Sequence, residues 1–333
     1  MDPKTVFINS AGRLRSGWRV LIFVALFIIL LIVLGAAVNK FSELALRGVP
    51  SRNVAHYVEN LIARIVLLAA ALLAGFICAR WLEGLPWRAL GLWFHSGWLR
   101  DFFFGSVIGV ASLALATALA TAGGGLSFTF SGRDAMVPVG QTLLFSGALF
   151  ILAALAEEAL FRGYPLQTLT RAKLAWLAIL LTSVPFAAVH LRNPNVVAGF
   201  TFINTALAGV WLAVAYLKTR SLWFPLGVHW AWNWALGSLF GLPVSGLTDL
   251  APYPLLHGAD LGPAWLTGGS YGIEGGLACT ITLLVSTIFI WRTRLVTATP
   301  EMNRLTSQEK PKRVEPPAPP APPVFPAPLA GKG

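Results

Sequence analysis

Apolar residues run through this chain in long blocks, separated by short segments rich in Arg, Lys, Gly and Pro. A helix of about 20 apolar residues crosses a hydrocarbon core. On that scale the pattern predicts about eight spans, at 19–38, 61–82, 103–122, 141–163, 174–191, 196–217, 222–240 and 271–291. The blocks at 174–191 and 222–240 are short, as expected of helices that are tilted, broken or buried in protein. The first block is too long for the apolar core of a signal peptide and no clear Ala-x-Ala site follows it, so it reads as an uncleaved helix. The expected fold class is all-α, a polytopic integral membrane protein.

Basic residues concentrate in alternate loops. They include Arg13 and Arg15 before the first span, Arg80, Arg88 and Arg100 after the second, Arg171 and Lys173 after the fourth, Lys218 and Arg220 after the sixth, and the tail from Arg292 onward. The intervening loops are poorer, and 241–270 holds no Lys or Arg. That asymmetry places both termini in the cytoplasm. The organisation expected is a cytoplasmic N-terminal tail at 1–18, an eight-helix transmembrane domain at 19–292 with its motif core at 142–240, and a disordered Pro-rich cytoplasmic tail at 293–333. The stretch 314–333 is too rich in Pro and Ala for a packed core and reads as disordered or polyproline II.

Composition agrees with the pattern. The chain is 56% hydrophobic and 12% charged, against about 25% charged in soluble domains. Its net charge of +11 is spread between apolar blocks rather than gathered in one patch. The expected partner is therefore the lipid bilayer, not nucleic acid. Cys78 and Cys279 each lie in an apolar run and suggest neither a disulfide nor a thiolate metal site.

The polar residues inside the blocks carry the chemistry. Glu157 and Glu158 sit in Ala156-Glu157-Glu158-Ala159-Leu160-Phe161-Arg162-Gly163, where each carboxylate costs roughly 2.5–3.5 kcal/mol to insert. Residues four apart share a helical face, so Glu158 and Arg162 are placed to pair. Glu157 is turned about 100° away and faces another helix. Phe186 and His190 share a face on the fifth block, and His229 and Asn233 on the seventh. Asn204, alone on the sixth, reads most simply as a contact between helices. Glu157, His190, His229 and Asn233 together are too many unpaired polar groups for structure alone and form the candidate site.

Depth complicates this grouping. On straight helices Glu157 and His190 lie about 20 and 24 Å from the turn at 171–173, whereas His229 lies only about 10 Å from its own turn. Recessed turns or strongly tilted helices are needed to bring the four to one level.

The series Glu157-Glu158-x-x-x-Arg162, Phe186-x-x-x-His190 and His229-x-x-x-Asn233 resembles the CPBP family, the CAAX-processing and bacteriocin-processing intramembrane proteases also called the Abi family. The lead-in Ser221-Leu222-Trp223-Phe224-Pro225-Leu226-Gly227-Val228-His229 is similar to that family's, and the opening from Asn9 to Arg19 is similar to the start of many bacterial members. The resemblance covers 142–240 well and the rest loosely. It implies an eight-helix endopeptidase of the bacterial cytoplasmic membrane, acting on a peptide or protein substrate, including membrane-attached ones. Glu157 would activate water with His190 assisting, His229 and Asn233 would form the oxyanion hole, and Glu158, Arg162 and Phe186 would support them. No cofactor is implied.

These residue types suit that reaction. A carboxylate in a low-dielectric site is a stronger base, and an imidazole and an amide on one helical face can stabilise an oxyanion. Three other readings stay open: a zinc-dependent membrane protease, a non-catalytic scaffold or immunity protein, and a transporter. The zinc protease motif His-Glu-x-x-His is absent. Substrate and oligomeric state are open at this point.

Overall fold

The computed structural model describes residues 6–46, 52–197 and 199–307. The tail at 314–333 lies outside the described residues. The main helices are α1 (Ser16–Leu46), α2 (Arg52–Leu82), α3 (Trp98–Ala122), α4 (Met136–Glu158), α5 (Tyr164–Arg171), α6 (Ala175–His190), α7 (Phe200–Thr219), α8 (Trp223–Trp234), α9 (Leu277–Arg292) and α10 (Pro300–Thr306).

A helix lies at each of the eight apolar blocks. Among the described residues, five helical segments are long and apolar enough to cross a membrane: Ser16–Lys40, Val54–Leu82, Trp98–Ala122, Arg133–Arg171 and Phe200–Thr219. α6 and α9, at 16 residues each, and α8, at 12 before a five-residue π turn at Ala235–Leu239, are shorter than the five. The first segment has a mean hydropathy of 3.3 and only 6% of it is buried in protein, so its apolar side chains, Leu21, Ile29 and Ile32 among them, face outward as lipid contacts would.

The fourth block does not end at Gly163. Its helix passes through a π turn at Ala159–Gly163 and continues as α5. Pro165 explains the turn, because it has no N–H to donate to the carbonyl one turn back and its ring crowds that carbonyl. All eight residues of α5 are buried. Gln167 donates to the Leu90 carbonyl at 2.9 Å, so α5 is packed inside protein behind the 83–97 loop rather than extending the crossing.

A buried ion cluster fastens this end of the bundle. Arg171 binds the Glu83 carboxylate through Nε at 2.8 Å and Nη2 at 3.1 Å, and Arg19 Nη1 lies 3.4 Å from the same group. Burial is the largest influence on the Glu83 carboxyl and pushes it up, but the Arg171 charge and hydrogen bond and the Arg19 charge outweigh it and hold Glu83 below the usual carboxylate range.

The turn before α8 is recessed. Arg220 takes the left-handed conformation that stops α7 (φ 56°), and Thr219, Ser221 and Leu222 are fully buried. Leu222 N–H donates to the Gly91 carbonyl at 3.0 Å, and Ser221 Oγ lies 2.9 Å from His95 Nε2. The 83–97 loop thus covers the turn, and α8 starts inside the protein. This resolves the mismatch in depth.

Glycines set how closely α8 meets α3. A Cβ on Gly105, Gly109 or Gly227 would lie 2.3, 2.4 or 2.2 Å from a carbonyl oxygen of the facing helix. The backbones touch there, as in membrane helix pairs built on small residues.

Two further differences from the sequence expectation are local. An antiparallel pair, β1 (Leu126–Phe130) and β2 (Leu256–Asp260), runs in register from Leu126↔Asp260 to Phe130↔Leu256, so the fold is helical with a small two-stranded sheet rather than strictly all-α. In the region expected as a disordered tail from 293, α10 is folded. Thr299 Oγ1 accepts from Met302 N–H at 3.2 Å to cap it, and Met302 and Val296 are buried.

Candidate active site

The two glutamates that end α4, just before the π turn, have different surroundings. Glu158 and Arg162 are fully buried, and Arg162 Nη1 donates to Glu158 Oε1 at 3.1 Å. The second arm of the guanidinium donates to the Gly209 carbonyl on α7 at 3.1 Å, and Arg162 Cζ lies 4.5 Å from the centre of the Phe186 ring. Glu157 keeps 18% of its side chain exposed and points elsewhere.

Glu157 meets two histidines. Its Oε2 lies 4.0 Å from His190 Nε2 and 3.7 Å from His229 Nε2. The other ring nitrogens are committed. His190 Nδ1 lies 2.7 Å from the Phe186 carbonyl, and His229 Nδ1 lies 2.9 Å from Glu158 Oε1. A carbonyl or carboxylate oxygen only accepts, so both Nδ1 atoms carry hydrogen and both Nε2 atoms turn toward Glu157. Phe186 packs beside both rings, with its centre 4.6 Å from His190 and 6.2 Å from His229.

These groups line one cavity of about 410 Å³, and Asn233 lines it too, one turn beyond His229 on α8. Every sequence-derived site residue is therefore at the cavity or directly behind it: Glu157, His190, His229, Asn233 and Phe186 on the wall, Glu158 and Arg162 behind. A second π turn, Ala235–Leu239, follows Asn233 as the first follows Glu158. π turns recur at functional sites because the extra residue re-aims its neighbours.

The match to known proteins falls on this same stretch. Residues 139–235 match the family model described as type II CAAX prenyl endopeptidase Rce1-like. The site segment is similar to that family. It takes in α4 from its first turn, both glutamates, and α8 through Asn233, so the family found is the one that the motifs resemble. The chain is also similar to an uncharacterized 24.3 kDa protein of Escherichia coli, 36% identical over 96 residues. That alignment covers 28% of this chain and 42% of the relative, so the chain spans less than half the length of the curated relative it matches. No solved structure matches.

Three further polar residues line the cavity: Asn204, Glu274 and Arg64. Asn204 is explained by structure: its amide donates to the Glu274 and Gly276 carbonyls at 2.8 and 2.9 Å and its oxygen accepts from Thr280 at 2.6 Å. Glu274, from a loop with no motif, also reaches the cavity wall. It accepts from Trp232 Nε1 at 3.0 Å and from Ser245, which ties the 241–276 loop to α8. Arg64 on α2 lines the cavity as well. Its signal was present, as a lone arginine inside an apolar run.

Proposed function

We propose that this protein is an intramembrane endopeptidase in which Glu157 activates water to hydrolyse a peptide bond. The observation that carries the proposal is the approach of one glutamate oxygen to two histidine Nε2 atoms, at 3.7 and 4.0 Å, on the wall of a single cavity. Water held between Glu157 and His190 gives its proton to Glu157 as its oxygen attacks the substrate carbonyl. The charge that develops on that carbonyl oxygen is met by N–H groups of His229 and Asn233. Collapse breaks the C–N bond, and the proton on Glu157 passes to the leaving amine. Glu158 and Arg162 act through His229, holding its ring by Nδ1. Donation from Nε2 while Nδ1 is tied to Glu158 requires hydrogen on both ring nitrogens.

The substrate is a peptide or protein segment at the bilayer, and the setting is a bacterial cytoplasmic membrane crossed several times. The resemblance read from the motifs supports this placement, as do the apolar outward faces of the long helices.

A zinc-dependent reaction is the second reading, because Glu157, His190 and His229 are all possible ligands. Among the described residues no group of three or more His, Cys, Asp or Glu has the spacing to hold a metal ion, so we favour the metal-free reaction. Activity lost on exhaustive chelation and restored by zinc would reverse that choice. The proposal itself is tested by peptide cleavage with purified wild-type protein and the Glu157→Gln variant.

A further inference from the structure

α6 carries His190, α8 carries the His229–Asn233 face, and each packs against α7. Glu157 faces both rings, at 4.0 and 3.7 Å. That glutamate changes charge when it takes a proton from water, so its attraction for the two imidazoles changes within each turnover. A spacing held through the whole cycle needs a tie that takes no part in proton transfer.

A strut of hydrogen bonds joins the two helices about one turn beyond the histidines. Asn193, three residues past His190, donates its N–H to the His190 carbonyl at 3.1 Å, and its side-chain amide donates to the Ser245 carbonyl at 3.0 Å. Ser245 gives both its N–H and its hydroxyl to Glu274 Oε2, the hydroxyl at 3.1 Å. The other carboxylate oxygen, Oε1, accepts from Trp232 Nε1 at 3.0 Å. Trp232 is three residues past His229 and directly precedes Asn233. Asn193, Ser245, Glu274 and Trp232 all line the cavity.

The links of the strut are fixed independently. Asn204 on α7 donates to the Glu274 and Gly276 carbonyls at 2.8 and 2.9 Å, so the backbone carrying Glu274 is fastened to the helix on which α6 and α8 both pack. Val244 and Leu247 exchange backbone hydrogen bonds at 2.9 Å across the turn that holds Ser245, and Gly246 N–H donates to the Tyr271 carbonyl at 2.9 Å. Trp232 is buried, with its ring edge-on to Trp211 at 5.6 Å between centres, so its indole cannot leave Glu274 without opening the core. Hydrogen bonds to a carboxylate are of the strong class.

We propose that Glu274 is a positioning residue that sets the spacing between His190 and the His229–Asn233 face. Both its oxygens are occupied, so it acts through Ser245 on one side and Trp232 on the other. The inference rests on the peptidase reading, in which water is held on the His190 side and the oxyanion on the His229–Asn233 side. A displacement of about 1 Å in such a site can cost about 10²-fold in rate.

The test compares full-length wild type in detergent with three variants that cut the strut at different links: Asn193→Ala, Glu274→Gln and Trp232→Phe. Glutamine keeps an acceptor oxygen for one side only, and phenylalanine keeps an aromatic ring without the N–H. Each is expected to lower kcat roughly ten- to a hundredfold while KM changes by less than about twofold. The double variant Glu274→Gln/Trp232→Phe is expected to lose no more than the worse single variant, because a strut cut once is already cut. Asn195→Gly is the control. Asn195 holds the same turn through the Gly246 carbonyl at 3.1 Å but lies outside the strut, and glycine accepts its left-handed backbone (φ 61°). Its kcat is expected to stay at the wild-type value. Wild-type kcat in Glu274→Gln overturns the proposal, as do multiplied losses in the double variant. An equal loss in Asn195→Gly also overturns it, since the stability of the turn would then be the cause.

Imidazole nitrogen signals, read by NMR, separate this from failure of the peptidase reading. They are recorded for wild type and Glu274→Gln and assigned with His190→Gln and His229→Gln. The buried His95, beside Ser221 at the other turn of α8, is the internal reference. If no peptide is cut but the His190 and His229 signals move in Glu274→Gln while His95 stays, the strut stands and the peptidase reading falls. Unmoved His190 and His229 signals overturn the strut whatever the catalytic result.

Discussion

His229 Nδ1 lies 2.9 Å from Glu158 Oε1, the same oxygen that accepts from Arg162. Glu158 is therefore more than the partner of an arginine one turn away. It joins the ion pair of the π turn to the ring that faces Glu157, and so fixes the aim of a histidine on another helix. Glu158→Gln is expected to lower kcat by about 10²–10³-fold, as loss of an oxyanion donor does, while KM changes little. Breaking a buried pair costs about 3–5 kcal/mol, so the melting temperature in detergent should fall as well. Unchanged kcat with a lowered melting temperature would limit Glu158 to structure.

Asn233 separates the oxyanion role from the scaffold. It is half-buried at the cavity and no hydrogen bond ties it to the described protein. Asn233→Ala should leave stability within about 1 kcal/mol of wild type, the size of one net hydrogen bond, and the melting temperature close to it. Its kcat should fall by roughly 10²–10³-fold. Steady-state kinetics alongside a thermal melt checks both.

Helix contact predicts a contrast between two glycines. Gly109→Ala would place a methyl 2.4 Å from the Val228 carbonyl oxygen, against the turn that carries His229, whereas Gly140→Ala meets nothing within 4 Å. The first should lower both melting temperature and activity. The second should leave activity intact and be neutral or stabilising, by up to about 1 kcal/mol, since Ala outranks Gly in a helix. Thermal melts of the two variants in the same detergent make the comparison.

The Glu83 cluster gives a pH dependence of stability. Its carboxyl is held below the usual range in the folded protein, so the unfolded chain binds that proton more tightly. The stabilisation is present above the ordinary glutamate value of about 4.3 and is lost as pH falls through the lower folded value. Melting temperature should drop on the acid side, and Glu83→Gln should flatten that drop while starting from a lower plateau. A parallel acid limb in both proteins would contradict the assignment.

What could be read from the sequence was local. The pairing of Glu158 with Arg162 is a matter of four-residue spacing, and the structure has it at 3.1 Å. The apolar blocks located the helices because hydrophobicity is summed over many residues. What escaped depended on partners distant in the chain. The His229–Glu158 contact joins residues 71 apart and the Gly91–Leu222 bond recesses α8 from across a loop. The strands at 126–130 and 256–260 pair across more than a hundred residues, beyond any periodicity. The start of α9 also escaped, since the apolar block begins at 271 but Gly272, Gly275 and Gly276 hold that stretch in tight turns until Leu277. Arg64 was visible as a charge in an apolar run, but nothing local showed that it faces the same cavity as Glu157.

The most direct measurement is cleavage of a peptide library by purified wild-type protein and by Glu157→Gln, at matched concentration and with melting temperatures shown to be equal. The account predicts that wild type cuts at defined bonds and that Glu157→Gln cuts the same bonds roughly 10²–10⁴-fold more slowly, the usual contribution of a general base. Equal cleavage by the two proteins would contradict it.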